Sequence, residues 1–189
     1  KVLKKKSSHP IILIVNKEIL ISQLKLLKCN FKLKELKIKK KIDIKSLKKN
    51  TINFINVKYN KKYENKYISE CFVLALKLLK KDQSLRLING PITKKDFLGT
   101  KFKGITEYLA SQTKTIDKVA MLIYNKRLSV SPVTTHLPIK DVHKNISKNK
   151  IIKNVKLITY FYKKNFNKKP KIAITGLNPH CESNFKTSE

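Results

Sequence analysis

The fold class is decided by residues 11–28, whose sequence is IILIVNKEILISQLKLLK. The first five of these residues are apolar and mostly β-branched, which is typical of a strand buried in a sheet. The apolar residues that follow recur at helical spacing, at Ile19, Leu20, Leu24 and Leu27. The stretch therefore predicts a buried strand that leads directly into a helix.

The same alternation continues along the rest of the chain. Further strands are predicted near residues 36–38, 53–57, 85–88, 119–124, 128–133 and 171–177. Helices are predicted over residues 63–81, 106–112 and 140–165, the last segment as one or two helices. Strands that alternate with helices indicate a layered α/β architecture in which at least part of the sheet is parallel.

The composition is that of a folded and very basic protein. The chain has 189 residues, of which 41% are hydrophobic, and a formal net charge of +32. This apolar content excludes a disordered basic tail, and the length fits one domain or two small lobes. Since no apolar run approaches the roughly 18 residues that a membrane span needs, we expect no membrane association.

The positive charge does not by itself indicate a nucleic-acid partner. All of the 44 cationic residues except Arg86 and Arg127 are lysines, and they are scattered along the chain. Lysine, isoleucine and asparagine are all abundant and share codons rich in A and T, so the charge resembles a drift in base composition. A surface selected for nucleic acid typically uses arginine for bidentate contacts. We therefore expect no specific nucleic-acid partner, and a basic nucleic-acid-binding protein is the alternative from another class.

The three cysteines, Cys29, Cys71 and Cys181, form no CxxC pair. Their number and spacing argue against a disulfide framework or a zinc knuckle and fit a reducing compartment. The basic residues 1–10 precede only a short apolar stretch without a small-residue cleavage site, so no signal peptide is predicted. We expect a cytoplasmic protein.

Polar clusters follow three of the predicted strands. They are NGPITK at residues 89–94, TTH at 134–136 and NPH at 178–180. Ligands of open α/β sheets bind beyond the carboxyl ends of the strands, so these clusters are the candidate sites. The chain has no GxGxxG, GxxxxGK[ST] or GxSxG sequence, and it therefore lacks the usual dinucleotide, P-loop and nucleophile-elbow signatures.

His136 and His180 are the most specific candidates, because each follows a predicted strand beside small polar residues. Neutral imidazole is a common ligand of divalent metals, so the two histidines are candidate ligands of one shared metal. Spacing alone favours the alternative, in which each histidine closes a loop through a hydrogen bond. A catalytic metal site also needs a third protein ligand, and no convincing third ligand is evident in the chain.

Thr106 begins the predicted helix shortly after Gly104. A threonine at this position either caps the helix or faces an anion together with the helix amides, and the pattern alone favours capping. Lys94, which follows Gly90, is a candidate contact for a phosphate or carboxylate. One lysine among so many is most often solvated, so its position carries little weight.

At these same clusters the sequence resembles the 4-hydroxythreonine-4-phosphate dehydrogenase family of vitamin B6 biosynthesis. Four stretches carry the resemblance, in the family's order and spacing: NGPITK (89–94), GITEYLA (104–110), VTTHLP (133–138) and GLNPH (176–180). The resemblance is close over residues 85–182 and rests on pattern alone over residues 10–84.

The resemblance implies an α/β/α fold of the isocitrate and isopropylmalate dehydrogenase type, with a mixed sheet, two lobes and a homodimer. It also implies the NAD- or NADP-dependent oxidation and decarboxylation of 4-phosphooxy-L-threonine, assisted by a divalent cation such as Zn, Mg or Co. His136 and His180 match two of the family's three metal-binding histidines, and Thr106 matches a residue that contacts the phosphorylated substrate. The third histidine belongs to a downstream segment that this sequence does not contain.

Two departures from the family pattern bear on the substrate. Ile105 stands where the family has a histidine, and residues 181–183, CES, lack the glycine that usually follows the second metal histidine. A related dehydrogenase of a phosphorylated sugar acid, such as threonate or erythronate phosphate, is therefore the neighbouring alternative.

The sequence also stops before the family's usual end. We expect an incomplete dehydrogenase chain that is inactive alone, with an incomplete second lobe. Residues 10–84 are expected to form the N-terminal lobe portion and residues 85–182 the portion that bears the motifs.

Overall fold

The computed structural model describes residues 10–37, 47, 51–82, 84–116 and 118–177. It divides the chain into two compact units, Lys1–Phe97 and Leu98–Glu189. The helices and strands are, in chain order, β1 (Ile12–Val15), α1 (Lys17–Leu26), β2 (Lys32–Glu35), β3 (Thr51–Asn56), α2 (Glu64–Lys81), α3 (Lys94–Leu98), α4 (Ile105–Gln112), α5 (Ile139–Val142) and α6 (Lys148–Phe166). Short 3-10 turns precede α2 and follow α5, at Lys61–Tyr63 and His143–Asn145.

The first unit is built on a three-stranded parallel sheet in the order β1-β3-β2. The middle strand, β3, is buried from Ile52 to Ile55, as expected for a strand that has neighbours on both sides. Leu13 of β1 lies opposite Phe54, and Leu33 of β2 lies opposite Ile52. Both outer strands therefore depend on β3 for their backbone hydrogen bonds.

The core of this unit forms where α1 packs on the sheet. Leu20 of α1 joins Ile52 and Phe54 in a buried cluster. Half-buried apolar side chains surround the cluster: Leu13, Val15, Leu24, Phe31 and Leu33. Leu20 and Leu24 lie one helical turn apart, so the helical spacing in the sequence corresponds to the face that covers β3.

Asn16 fixes the junction between β1 and α1. Its Oδ1 accepts hydrogen bonds from the backbone N–H groups of Glu18 and Ile19, at 3.0 and 3.1 Å, and so caps α1. Its Nδ2 donates to the carbonyl of Val57 at 3.1 Å, and its backbone N–H donates to the hydroxyl of Tyr67 at 2.9 Å. This asparagine therefore ties the start of α1 to the end of β3 and to α2.

Helix α2 lies beside β1 and is amphipathic. It buries Phe72, Ala75 and Leu78, which recur every three residues along one face. Phe72 also stacks on Phe97 of α3, with the ring centroids 5.8 Å apart. The lysines of α2 are exposed, so the helix has one apolar and one charged side.

The second unit contains the long helix α6 and an irregular segment before it. Within this segment, Ile123 and Val130 form an isolated antiparallel bridge. Tyr124, next to the bridge, stacks on Phe166 of α6 with the ring centroids 5.1 Å apart. Aromatic packing therefore attaches the bridged segment to the end of α6.

The predicted α/β class with parallel strands is confirmed. The predicted helices and two of the strands form close to the expected positions, at residues 11–16, 17–28, 53–57, 63–81, 106–112 and, as two helices, 140–165. In the described part of the chain, every pairing within the sheet is parallel, and the antiparallel pairing is an isolated bridge. None of the described helices combines the length and apolar character needed to cross a membrane.

The strand expected near residues 36–38 forms earlier, at Lys32–Glu35. The prediction followed the apolar residues, whereas β2 is an outer strand in which charged side chains flank Leu33. Outer strands tolerate and often require charge, because one of their edges faces solvent. Residue 38 lies outside the described residues.

Some predicted strands are wrong in the described part of the chain. Residues 85–88 and 171–177 form no strand, and Ile88 and Ile174 are 87% and 64% exposed. The strands predicted at 119–124 and 128–133 are reduced to the single bridge. An apolar run becomes a strand only where a neighbouring strand offers a free edge, and a local pattern does not specify that neighbour.

Replacement of Asn16 by alanine is expected to destabilise the first unit by about 2 kcal/mol, because it removes the cap of α1 and the bond to Val57. Urea unfolding followed by circular dichroism measures the change. Asn60→Ala is the matched control, since Asn60 caps only the short 3-10 turn and accepts a bond from Lys62. Its expected cost is below about 0.5 kcal/mol, and equal effects of the two variants would contradict the role given to Asn16.

Candidate functional site

In the second unit, the start of α4 lies against the turn that contains the TTH cluster. The hydroxyl of Thr135 donates a hydrogen bond to Glu107 Oε1 at 3.2 Å, across 28 residues of sequence. Gly104 lies beside Glu107 and His136. A Cβ atom on Gly104 would lie 2.8 Å from Glu107 Oε2 and 3.1 Å from His136 Nε2. Two of the predicted polar motifs, GITEYLA and VTTHLP, are thus brought together.

Gly104 is needed here for space and not for backbone freedom. Its φ is −164°, an extended conformation that any residue adopts. The glycine is buried, and the ends of the Glu107 and His136 side chains occupy the place of a Cβ atom. The missing methyl group therefore lets a carboxylate and an imidazole approach the same backbone atom.

His136 has a left-handed backbone conformation, with φ at 54°. Non-glycine residues adopt this conformation uncommonly, although histidine does so more often than β-branched residues. The chain bends at His136, and the residue is exposed. The hydrogen bond from Thr135 to Glu107 and the left-handed residue together define this turn.

The start of α4 differs from the sequence prediction. Gly104 is the N-cap residue, and no side chain caps the helix. Thr106, which was expected to cap it, lies inside the first turn and is exposed, so the capping interpretation is wrong. The first amide groups of an α-helix have no partners within the helix and carry partial positive charge, so the exposed Thr106 hydroxyl lies where an anion is favoured.

Glu107 was missed as a functional candidate by sequence reasoning. It occupies the third helical position after the N-cap, where glutamate usually reaches back to the cap residue. Here Oε1 accepts from Thr135, while Oε2 is buried and has no hydrogen-bond partner among the described residues. The spacing of Gly104 and Glu107 was the available signal, but only the fold supplies Thr135 as the partner.

The described residues supply a partial set of metal donors. No group of three His, Cys, Asp or Glu side chains in the described residues is arranged to hold a metal ion. His136 fits as a single metal ligand, because the residue is exposed and a neutral imidazole nitrogen can coordinate a metal. His180, the other predicted ligand, lies outside the described residues together with Cys181. His143 lies exposed in the 3-10 turn after α5.

Residues 89–93 of the NGPITK cluster form an irregular and mostly exposed segment of the first unit. Asn89 Nδ2 donates to the Gly90 carbonyl at 3.3 Å, and open space surrounds the position of a Cβ on Gly90. The side chain of Lys94 lies outside the described part of the chain. The described atoms of this cluster therefore show one local hydrogen bond and no further site geometry.

Two side chains of the first unit, Tyr67 and Cys71, have shifted pKa values, and burial is the main cause of both shifts. Burial raises the pKa of the Cys71 thiol, although a hydrogen bond with Tyr67 opposes the shift. Burial also raises the pKa of Tyr67, and the bond from the Asn16 amide opposes it. Both side chains are therefore neutral at physiological pH, and the raised pKa makes Cys71 a poor nucleophile.

The family model of the pyridoxal phosphate biosynthetic protein PdxA matches residues 6–188. The chain belongs to the PdxA family. This membership accounts for the order and spacing of the four motifs, and the motifs at 104–110 and 133–138 are the ones that converge at Gly104.

Two curated relatives of this PdxA-family chain are 4-hydroxythreonine-4-phosphate dehydrogenases. That of Sulfurihydrogenibium sp. (strain YO3AOP1) is 45% identical over 101 residues, which cover 52% of this chain and 31% of the relative. That of Aquifex aeolicus (strain VF5) is 42% identical over 83 residues, which cover 44% of this chain and 26% of the relative. The matched segment thus spans about a third or less of either relative.

Two solved structures of 4-hydroxythreonine-4-phosphate dehydrogenases resemble this chain in fold. The enzyme from Klebsiella pneumoniae superimposes with a TM-score of 0.76 at 22% identity, over 94% of this chain and 56% of that one. The enzyme from Burkholderia phymatum gives a TM-score of 0.70 at 21% identity, over 90% of this chain and 54% of that one. The chain therefore shares the fold of just over half of each of these solved chains.

Gly104→Ala is expected to preserve folding while it displaces the Glu107 carboxylate and the His136 imidazole, because both obstructing atoms are the ends of flexible side chains. The stability cost is expected to be about 1 kcal/mol. Thermal unfolding and the NMR resonances of the His136 ring measure the two effects. Gly90→Ala is the matched control, since its Cβ would meet nothing within 4 Å. An unchanged His136 spectrum in Gly104→Ala would contradict the proposed crowding.

Proposed function

We propose that the chain contributes to the NAD(P)-dependent oxidation, with decarboxylation, of 4-phosphooxy-L-threonine in the synthesis of pyridoxine 5'-phosphate. The convergence of residues 104–107 with the turn at 134–136 is the observation that carries this proposal. These residues come from the two motifs to which the resemblance assigns a substrate contact and a metal ligand. Family membership and the names of the curated relatives support the same activity.

Within this proposal, Thr106 binds the phosphorylated end of the substrate. Thr106 is exposed in the first turn of α4, an eight-residue helix whose N-cap residue is Gly104. A hydroxyl and the neighbouring helix amides suit a phosphate, because hydrogen-bond donors and the positive end of the helix dipole lie together. The lysine-rich surface adds a long-range attraction for the phosphorylated substrate and an anionic cofactor.

His136 and His180 are proposed as ligands of a divalent cation such as Zn, Mg or Co. When bound, such a cation polarises a substrate oxygen and stabilises negative charge that develops on it. His136 contributes an exposed imidazole on a turn that is fixed by Thr135 and Glu107. NAD or NADP is proposed as the hydride acceptor, and no residue of this chain is assigned to its binding.

The isoleucine at position 105 supports a second class of substrate as an alternative. It is the first residue of α4 and is half-buried directly beside Thr106. An isoleucine side chain has no donor for a phosphate or hydroxyl group, in contrast to the histidine of the family pattern. A related phosphorylated sugar acid, such as threonate or erythronate phosphate, is therefore the alternative substrate.

The wider architecture is proposed from the family. The layering is that of the isocitrate and isopropylmalate dehydrogenases, with a mixed sheet and a homodimer in the whole protein. Residues 10–84 belong to the N-terminal lobe portion and residues 85–182 to the motif-bearing portion. The proposed location is the cytoplasm.

The activity is tested by incubating the purified chain with 4-phosphooxy-L-threonine, NAD or NADP and a divalent cation. NADH or NADPH absorbance reports turnover, and the thermal shift produced by substrate reports binding when turnover is absent. Thr106→Val is expected to weaken substrate binding by about tenfold, because it removes one hydrogen bond to a charged group. Thr100→Val, in an exposed turn, is the matched control. Preference for threonate or erythronate phosphate would favour the alternative. The absence of both turnover and a thermal shift would contradict the proposal.

Calorimetric titration with Zn²⁺ or Co²⁺ tests the metal ligands separately. His136→Ala and His180→Ala are each expected to weaken binding by about tenfold or more, since each removes a coordinating atom. His143→Ala is the control, because His143 is exposed on a 3-10 turn away from the proposed ligand motifs in sequence. Unchanged affinity in both ligand variants would refute their assignment.

A further inference from the structure

Glu107 is an acidic residue to which the proposed function gives no role. One of its carboxylate oxygens accepts a hydrogen bond from Thr135, and the other is buried without a partner among the described residues. Burial of a carboxylate oxygen without a hydrogen bond lowers the stability of the fold, so the burial of Oε2 requires an explanation. Favourable interaction with the helix dipole explains an acidic residue in the first turn, but it does not explain the contact with Thr135 or the burial of Oε2.

The buried oxygen of Glu107 and the imidazole of His136 both lie beside Gly104. Both Glu107 Oε2 and His136 Nε2 lie about 3 Å from the position that a Cβ on Gly104 would occupy, at 2.8 and 3.1 Å. The structure has no hydrogen bond between them, but the two atoms share one small surface. The negative charge of a carboxylate at this place favours a proton on the ring nitrogen that faces it.

The same carboxylate holds the backbone on which His136 stands. Thr135 precedes His136 directly, and its hydroxyl is fixed by Glu107 Oε1. The left-handed conformation of His136, φ 54°, is one that the chain does not adopt readily without support. Glu107 therefore acts on both the main chain and the side chain of the histidine.

We propose that Glu107 is a positioning residue for His136, which fixes the 134–136 turn through Thr135 and favours the Nε2–H form of the imidazole. The Nδ1 lone pair is then directed away from the Gly104 surface and is free to bind a ligand. Carboxylates that set the tautomer of a metal-binding histidine are a general device in metal sites. The link to metal binding rests on the proposed function, whereas the positioning itself does not.

The test uses the ring nitrogen resonances of His136 in the ¹⁵N-labelled full chain, without metal or substrate. The chain has four histidines, so His136→Asn assigns the signal and His143 serves as an internal reference. When one tautomer dominates, the two ring nitrogens resonate far apart, and they converge when both tautomers are populated. At a pH where free imidazole is neutral, the full chain is expected to show widely separated His136 signals.

Glu107→Gln separates charge from packing. A glutamine keeps a carbonyl oxygen for Thr135, so the thermal midpoint is expected to change little. Its NH₂ group replaces Oε2 and is a donor, so it no longer favours a proton on Nε2. The His136 ring resonances are therefore expected to converge or to exchange their assignments, while those of His143 stay in place. Glu64→Gln is the matched control, because Glu64 is an exposed carboxylate in the first turn of α2. It should leave the His136 spectrum unchanged.

Thr135 tests the backbone part of the proposal independently. Thr135→Val removes the donor to Glu107 and is expected to release the left-handed backbone conformation of His136, which changes the three-bond HN–Hα coupling of His136, whereas Thr135→Ser keeps the donor and should preserve that coupling. Unchanged His136 resonances in Glu107→Gln, or an unchanged HN–Hα coupling of His136 in Thr135→Val, would overturn the corresponding part of the proposal. If Glu107→Gln fails to fold, the Thr135 pair still decides whether the carboxylate supports the turn.

Failure of this proposal and failure of the proposed function give different results. A full chain that shows the expected His136 spectrum but binds neither metal nor substrate supports the positioning role and contradicts the function. A full chain that binds metal through His136, with ring resonances that do not respond to Glu107→Gln, supports the function and overturns the positioning role.

Discussion

The pairing of β3 with two parallel neighbours is the interaction on which the first unit depends. Parallel strands cannot be joined by tight turns, so every connection between them must cross one face of the sheet. Helix α1 is such a connection, and its apolar face is stabilised only because Ile52 and Phe54 offer a buried surface beneath Leu20. The strand and the helix are thus interdependent, and Asn16 sets the angle at which one leads into the other.

This small apolar core has to act against an unusual excess of positive charge. A net charge of +32 destabilises a compact state by self-repulsion, and salt weakens that repulsion. The ion pair between Lys17 Nζ and Glu35 Oε2 is long, at 3.8 Å, and both side chains are about half exposed. Such a pair contributes little stability. Burial of apolar side chains and the capping bonds of Asn16 therefore dominate the stability of the first unit.

The fold was predictable from the sequence where a local pattern and its partner coincide. Residues 11–28 carry both the strand and the face of the helix that covers the sheet, so β1 and α1 followed from periodicity alone. Ile88 and Ile174 belong to apolar runs that are equally suited to a strand, yet both are exposed. Leu13 differs from them because Phe54 lies opposite it on the adjacent strand. Such a neighbour is a property of the assembled sheet and not of the apolar run itself.

The candidate site shows a similar division. Thr106 and His136 were candidates from the sequence because polar residues after predicted strands and at helix starts are typical of ligand sites, and their roles stay predictions. Glu107 was not, since its importance depends on Thr135, which is 28 residues away. The role of Thr106 as a helix cap also failed, because the cap position belongs to Gly104.

Gly104 explains why sequence patterns describe this site incompletely. A motif records the side chains that are present, whereas this site depends on a side chain that is absent. Any Cβ at residue 104 would compete with Glu107 and His136 for the same space, although the extended backbone would accept it. The glycine thus constrains the site through volume and not through backbone conformation. A carboxylate and an imidazole can then lie beside the same glycine, although Glu107 and His136 belong to two separate sequence motifs.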